Sequence, residues 1–259
     1  MQEKLTKKFW IALIIFSLIG QVAWVVENMY FNVFIYNIFN ASPKDISLMV
    51  SASAISATLT TIFIGALSDK IGKRKIFISG GYILWGISIL AFSLVRIDVI
   101  SALFPMVASA SAVGISLVII LDCVMTFFGS SANDAAFNAW LTDSTNPTNR
   151  GSAEGVNAMM PLVAILVVFG GFMFLDLKQI ESWTTIFLII GIVVILIGVI
   201  GLFIIKEPQI QKGESGYLSN IVYGFMPSTI KNNKELYISL IGFIIFNISS
   251  TKGGVHKYP

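Results

Sequence analysis

Long apolar runs recur along the chain and are separated by short polar segments. Six runs are long enough to cross the apolar core of a bilayer, which takes about 20 helical residues. They cover Trp10–Phe39, Ile46–Ser68, Ile76–Val95, Val99–Leu141, Val156–Leu175 and Trp183–Ile205, and a weaker run, Leu236–Ser250, follows. The pattern predicts an all-α membrane protein with six complete spans and the start of a seventh.

The run Val99–Leu141 leaves the number of spans open, because it has room for one long helix or two short ones. Lys and Arg accumulate in cytoplasmic loops, so their placement decides. With one span there, twelve of these residues lie on one side, and only Lys44, Arg96 and Lys178 lie on the other. The twelve are Lys4, Lys7, Lys8, Lys70, Lys73, Arg74, Lys75, Arg150, Lys206, Lys212, Lys231 and Lys234. We therefore predict one span, about Val113–Leu141, and a cytoplasmic N-terminus.

This topology divides the chain into three parts. Residues 1–206 form a six-helix bundle, residues 207–235 a cytoplasmic linker, and residues 236–259 an incomplete seventh helix that we expect not to extend through 251–259. The polar tail after Ser250 is typical of a truncation or a shifted reading frame.

Composition excludes several classes of function. Charged residues make up 12% of the chain against about 25% in soluble domains, and the mean hydropathy is +0.84. A net charge of +3 is too small and scattered for nucleic-acid binding. The chain has one cysteine, Cys123, one histidine, His256, and no phosphate loop or metal-ligand cluster. We expect a multi-pass protein of the cell membrane that is not an enzyme and has no cofactor, no metal site and no nucleic-acid partner.

The loop between the second and third spans reads Gly65-Ala-Leu-Ser-Asp69-Lys70-Ile-Gly72-Lys73-Arg74. It resembles the major facilitator superfamily signature G-x-x-x-D-[RK]-x-G-[RK]-[RK] at every specified position. Gly65 would allow close approach of another helix, and Gly72 would permit a tight reversal. Asp69 would cap a helix or pair with a base.

A second loop, Asp143-Ser-Thr-Asn-Pro-Thr-Asn-Arg150-Gly151, resembles the acid-x6-Arg-Gly loop of the same superfamily. The resemblance implies the N-terminal bundle of the major facilitator fold, a 3+3 inverted repeat. It also implies a cytoplasmic gate in which the two loops exchange ion pairs between conformers. The predicted gate residues are Gly65, Asp69, Lys70, Gly72, Lys73, Arg74, Asp143 and Arg150.

Polar residues within the first and fourth spans form coherent faces. At about 100° per residue, Gln21, Trp24, Glu27 and Asn28 fall on one stripe of the first span, and the fourth has a similar stripe with Asp122, Asn133 and Asp134. Ionisable groups at membrane depth are costly and usually functional. The resemblance implies that these two helices line the central cavity. The competing interpretation is that the amides only bond neighbouring helices.

Asp134-Ala-Ala-Phe137 followed by Arg150 is similar to the glycoside–pentoside–hexuronide cation symporters and the sucrose-type symporters. This resemblance implies cation-coupled symport of a small polar solute, a sugar or glycoside, by alternating access. Glu27, Asp134 or Asp122 would bind the coupling ion, a proton or sodium, and Gln21, Trp24, Asn28 and Asn133 would contact the solute. Ser56, Thr58, Thr60 and Thr61 replace the second-span acids of the melibiose-type members.

Two alternatives stay open. One is efflux of an amphipathic compound by an atypical proton antiporter, and the other is a fragment that does not transport. The resemblance implies two six-helix halves, so the expected partners besides the lipid bilayer are a missing C-terminal half or a second copy of the chain.

Overall fold

The computed structural model describes residues 4–208 and 221–255. Within these residues, six helices are long and apolar enough to cross a membrane. They are α1 (Lys7–Phe39), α2 (Pro43–Ile71), α3 (Arg74–Leu94), α4 (Ala110–Asp143), α5 (Arg150–Phe172) and α6 (Ile180–Ile204). The prediction of an all-α membrane fold with six complete spans is confirmed.

Local sequence signals set several helix ends. Ser42 and Asp45 form a reciprocal capping box at the start of α2, and Pro43 occupies the first turn, where its missing N–H costs nothing. Gly72 ends the same helix with a φ of 68°, a left-handed conformation that glycine adopts without strain. The reversal that the loop sequence predicts at Gly72 is therefore present.

The ambiguous run after residue 98 holds one membrane-spanning helix, as the charge distribution predicts. A short helix, Ile97–Leu103, comes first, and α4 begins after Ser109, whose hydroxyl accepts a hydrogen bond from the backbone N–H of Ala112. The span starts three residues before the predicted Val113, because this N-cap lies upstream of the most apolar residues.

The six helices pack as two related sets of three. The main contacts join α3 to α6, α1 to α5, α2 to α4, α1 to α6 and α3 to α4. If α1, α2 and α3 are exchanged with α4, α5 and α6 in that order, the same pairs of helices are in contact. Helices related by the exchange run in opposite directions because successive spans alternate, which gives the predicted 3+3 inverted repeat.

Glycines line the contact between α3 and α6. A Cβ at Gly86 would lie 2.6 Å from the carbonyl oxygen of Gly191, and one at Gly198 would lie 2.8 Å from the backbone nitrogen of Ile83. The two backbones therefore approach closely along this seam, as small residues permit in membrane helices.

The helices α1 and α4 are each interrupted by a π-helical segment, Val26–Tyr30 in α1 and Ser130–Phe137 in α4. Such segments widen the helix locally and occur frequently at functional sites. Here they contain Glu27, Asn133 and Asp134.

Residues 221–255 belong to a second compact unit. Its described part contains a short helix, Pro227–Asn232, and the helix α7 (Lys234–Val255). The expectation that residues after 250 would not continue a helix is wrong for Thr251–Val255, since helical geometry is local and these five residues extend α7. Residues 209–220 of the predicted linker lie outside the described residues.

Candidate functional site

A cavity of about 460 Å³ lies between α1, α2 and α4. Its wall combines amides, one tryptophan and three carboxylates with small and apolar residues of α2. The lining residues are Gln21, Trp24, Glu27, Asn28, Asn32, Met49, Val50, Ser53, Ala54, Ala57, Asp122, Thr126 and Asp134. The structure thus brings together six of the seven residues that the sequence analysis assigned to ion or solute binding.

Glu27 Oε1 forms one corner of a buried hydrogen-bonded triangle. Its Oε1 accepts hydrogen bonds from Ser53 Oγ at 3.0 Å and from Thr126 Oγ1 at 2.8 Å, and the two hydroxyl oxygens are 2.9 Å apart. The three side chains come from α1, α2 and α4. They therefore join both halves of the repeat at one point.

Asp122 lies one helical turn from Thr126 on α4 and is only 2% exposed. It interacts electrostatically with Glu27, so the two carboxylates repel each other when both are ionised. Glu27 Oε2 and Asp122 Oδ1 have no hydrogen-bond partner among the described residues. No Lys, Arg or His belongs to the cavity wall as described.

Asp134 differs from these two acids. It is half-buried, and its Oδ2 accepts a hydrogen bond from Ser130 Oγ at 2.9 Å within the same helix. It lines the cavity but is not part of the triangle.

The residues predicted to contact solute divide into two groups. Gln21, Trp24 and Asn28 line the cavity, and the indole N–H of Trp24 has no acceptor among the described residues. Trp24 packs on Trp85, with ring centroids 5.0 Å apart. Asn28 is exposed and donates to the carbonyl oxygen of Trp24 at 2.9 Å.

Asn133 is absent from the described cavity wall. It is 4% exposed and lies against Gly20, where an added Cβ would come within 2.2 Å of its Nδ2. A helical wheel at 100° per residue places it on the polar stripe, but the π-helical segment around it turns less per residue and changes that phase.

Ser53 is a hydrogen-bonding cavity residue that the sequence analysis missed. It stands in a helix with many other hydroxyl residues, and which of them faces α1 depends on how α2 is rotated against its neighbours. A weak signal exists in the apolar run, since Ser53 lies one turn after Met49 on the buried face of α2.

A second cluster of charges lies at the end of the bundle where α2 meets α3. Arg74 is 4% exposed, and its guanidinium contacts Asp69 at 2.5 Å, Asp143 at 2.9 Å and Ser68 Oγ at 2.5 Å. Asp69 and Asp143 belong to the two signature loops. The structure therefore places these loops in one ion-paired network.

Glu207, just after α6, extends this network and was missed as a site residue. Its carboxylate accepts hydrogen bonds from the backbone N–H groups of Arg74 and Lys75, the first residues of α3. The neighbouring carbonyl of Lys206 accepts a hydrogen bond from Trp140 Nε1 at 3.0 Å. An acid at a helix N-terminus is stabilising, but neither its pairing nor its partner helix can be inferred from the local sequence.

The other predicted gate residues have separate positions. Arg150 donates to the carbonyl of Thr142 at 2.9 Å and to Thr145 Oγ1 at 3.1 Å, so it closes its own loop. Lys70 and Lys73 are exposed. The expected close helix approach at Gly65 is not found in the described structure, because no described atom lies within 4 Å of a Cβ built there.

In residues 4–208 and 221–255, no group of three or more His, Cys, Asp or Glu side chains is placed to hold a metal ion.

An inverted pair of three-helix repeats, with a polar cavity at depth and an ion-paired network at one end, defines a multi-pass α-helical membrane protein with an internal repeat. Residues 9–251 match the family model of the Major Facilitator Superfamily, and the chain belongs to this superfamily. Its members are secondary transporters.

A solved structure shows the same fold. It is the crystal structure of a bacterial homologue of the human lysosomal transporter Spinster, in an inward-facing and unoccupied conformation. The TM-score is 0.57 at 19% identity, and the match covers 82% of this chain and 46% of that one. The chain thus spans less than half the length of this transporter. No curated protein sequence matches it significantly.

Proposed function

We propose that the chain is part of a cation-coupled symporter that moves a small polar solute, a sugar or glycoside, by alternating access. The observation that supports this most directly is the cavity with three carboxylates and no described basic residue in its wall. Uncompensated acids at membrane depth are costly unless a cation or proton neutralises them. A transported cation fulfils that requirement in one conformer and is released in another.

The solute side of the cavity is the surface formed by Gln21, Trp24 and Asn28. The amides offer donors and acceptors to hydroxyl groups, and the unpartnered indole N–H of Trp24 offers one more donor. A volume of about 460 Å³ falls within the range of small-molecule pockets. These residues lie within two turns of Glu27 on α1, so solute and cation would bind to the same helix.

The Arg74 network supplies the gate in this proposal. While Arg74 holds Asp69 and Asp143, the α2–α3 and α4–α5 loops are fixed to each other. Opening at this end requires an exchange of these ion pairs, which is a known type of two-state transition.

In this proposal, further helices close the side of the cavity that α1, α2 and α4 leave open. We propose that six further helices, either in a C-terminal half or in a second copy of the chain, face α2 and α5, because only 17% of the apolar window of each is buried. Mass measurement of the purified chain in lipid nanodiscs distinguishes a dimer from a monomer.

The test of coupling is uptake by the purified chain, with its partner half where one exists, in proteoliposomes under an imposed pH or sodium gradient. We expect Glu27→Gln to abolish gradient-driven accumulation while solute exchange without a gradient continues. Glu154→Gln, which alters an exposed acid, is the matched control and should accumulate solute like the parent. Accumulation by Glu27→Gln and by Asp134→Asn would show that neither acid binds the coupling ion.

A further inference from the structure

The triangle around Glu27 has fewer hydrogens than contacts. Three oxygen–oxygen distances of 2.8, 2.9 and 3.0 Å join Glu27 Oε1, Ser53 Oγ and Thr126 Oγ1. The two hydroxyl groups supply one hydrogen each, and an ionised carboxylate supplies none. With Glu27 ionised and both hydroxyls donating to it, two hydroxyl oxygens face each other without a hydrogen between them.

Two carboxylate oxygens beside the triangle also lack a partner. Glu27 is 7% exposed and Asp122 is 2% exposed, and Glu27 Oε2 and Asp122 Oδ1 accept no hydrogen bond from any described residue. Both residues line the cavity. Buried polar atoms in native proteins are almost always satisfied, so these oxygens indicate a ligand that is small and positively charged.

We propose that Glu27, Asp122, Ser53 and Thr126 form a binding site for an alkali-metal ion of the size of Na⁺. This rests on the proposed function, since it names the coupling ion. All donors are oxygens, the ligands that hard cations take. Oxygens about 2.9 Å apart can all contact one ion at about 2.4 Å, within the range of oxygen-liganded cations of this size.

The two acids have different places in the proposed site. Glu27 Oε1 belongs to the triangle of oxygens, so Glu27 is the central ligand. Asp122 lies on the same cavity wall, and its Oδ1 has no hydrogen-bond partner among the described residues. Asp122 therefore adds a further oxygen ligand from α4.

The experiment uses the purified full chain in nanodiscs at pH 8, with NaCl, LiCl, KCl or choline chloride at one ionic strength. At ten times the dissociation constant, NaCl should raise the midpoint of thermal unfolding by about 3–5 °C above choline chloride. Trp24 lies on the turn before Glu27, so a saturable change in tryptophan fluorescence should accompany binding.

Variants separate the four ligands from the rest of the cavity. Glu27→Gln should abolish the sodium response, while Ser53→Ala and Thr126→Val should weaken sodium binding at least tenfold. Asp122→Asn should weaken sodium binding less than Glu27→Gln does, because the amide keeps one oxygen that can contact the ion and lies outside the triangle. Glu154→Gln, which alters an exposed acid outside the described cavity wall, is the matched control and should respond like the parent.

Two outcomes would overturn the site, and a third would refute the function on which it rests. No response to Na⁺ or Li⁺, with accumulation driven by a pH gradient, would show that Glu27 binds a proton; the proposed symport would then stand without this site. A response to K⁺ alone, or one that Asp134→Asn abolishes, would place a larger ion or different ligands in the cavity. If the parent accumulates solute under neither a sodium gradient nor a pH gradient, the proposed symport itself is refuted. If Glu27→Gln does not fold, Ser53→Ala and Thr126→Val decide.

Discussion

The bundle removes charged side chains from water in two places, and it treats them in opposite ways. Arg74 is surrounded by two carboxylates and a hydroxyl. Glu27 and Asp122 are as deeply buried, yet the described structure offers them hydroxyl groups and no base. Burial alone therefore does not distinguish a structural charge from a functional one.

The difference lies in what completes each site. The Arg74 network is complete within the chain, so it can hold loops in place in one conformer. The Glu27 site leaves two buried carboxylate oxygens without a described partner, and in our proposal a mobile positive charge completes it. Four predictions test this contrast, and the effect on stability decreases from the first to the last.

The largest loss of stability should follow from Arg74→Ala. It leaves Asp69, Asp143 and Ser68 without their shared partner, and breaking a buried ion pair costs about 3–5 kcal/mol. Denaturant unfolding of the purified chain, followed by tryptophan fluorescence, measures the change. Lys73→Ala, at the neighbouring exposed base, should stay within about 0.5 kcal/mol of the parent. Equal losses in the two variants would contradict a structural role for the network.

Glu207→Gln should lower the free energy of unfolding by a smaller amount, about 0.5–2 kcal/mol. The change removes a charge that accepts two backbone hydrogen bonds at the N-terminus of α3. The same unfolding measurement applies, with Glu154→Gln as the control. A loss that matches the control would mean that Glu207 does not act as a helix cap.

Glu27→Gln should leave the stability in the absence of sodium unchanged or raise it by up to about 1 kcal/mol. An amide keeps the acceptor for Ser53 and Thr126 and removes an unpaired buried charge, a change that is often neutral or stabilising. Arg74→Gln should destabilise under the same conditions. If Glu27→Gln instead loses as much stability as Arg74→Gln, the acid has a structural partner and the contrast fails.

The exposed pair Arg96–Asp98 at the opposite end of the bundle provides the smallest effect. The hydrogen bond from Arg96 lowers the pKa of the Asp98 carboxyl below its ordinary value. The pair therefore stabilises the fold above about pH 4 and ceases to do so as the pH falls through the lowered pKa. Carboxyl NMR titration should show the pKa of Asp98 rising in Arg96→Gln; an unchanged value would refute the interaction.

The sequence predicts the spans well, because span length follows from bilayer thickness. Of the predicted gate residues, Asp69, Arg74 and Asp143 meet in the described structure, whereas Arg150 closes its own loop. The cavity is predicted less completely. Whether Ser53 faces the cavity depends on how α2 is rotated about its axis. Asn133 leaves the expected face because it lies in a π-helical segment, which the local residue types do not predict.

The glycine seam between α3 and α6 has a consequence for biosynthesis. About a hundred residues separate Gly86 from Gly191, whose backbones meet in the finished bundle. At about 5–20 residues per second, the grooved face of α3 enters the membrane on the order of ten seconds before its counterpart is made. During that interval, lipid or the insertion machinery must occupy the groove. The last helix of the bundle to be synthesised therefore sets the moment at which the first five can reach their final packing.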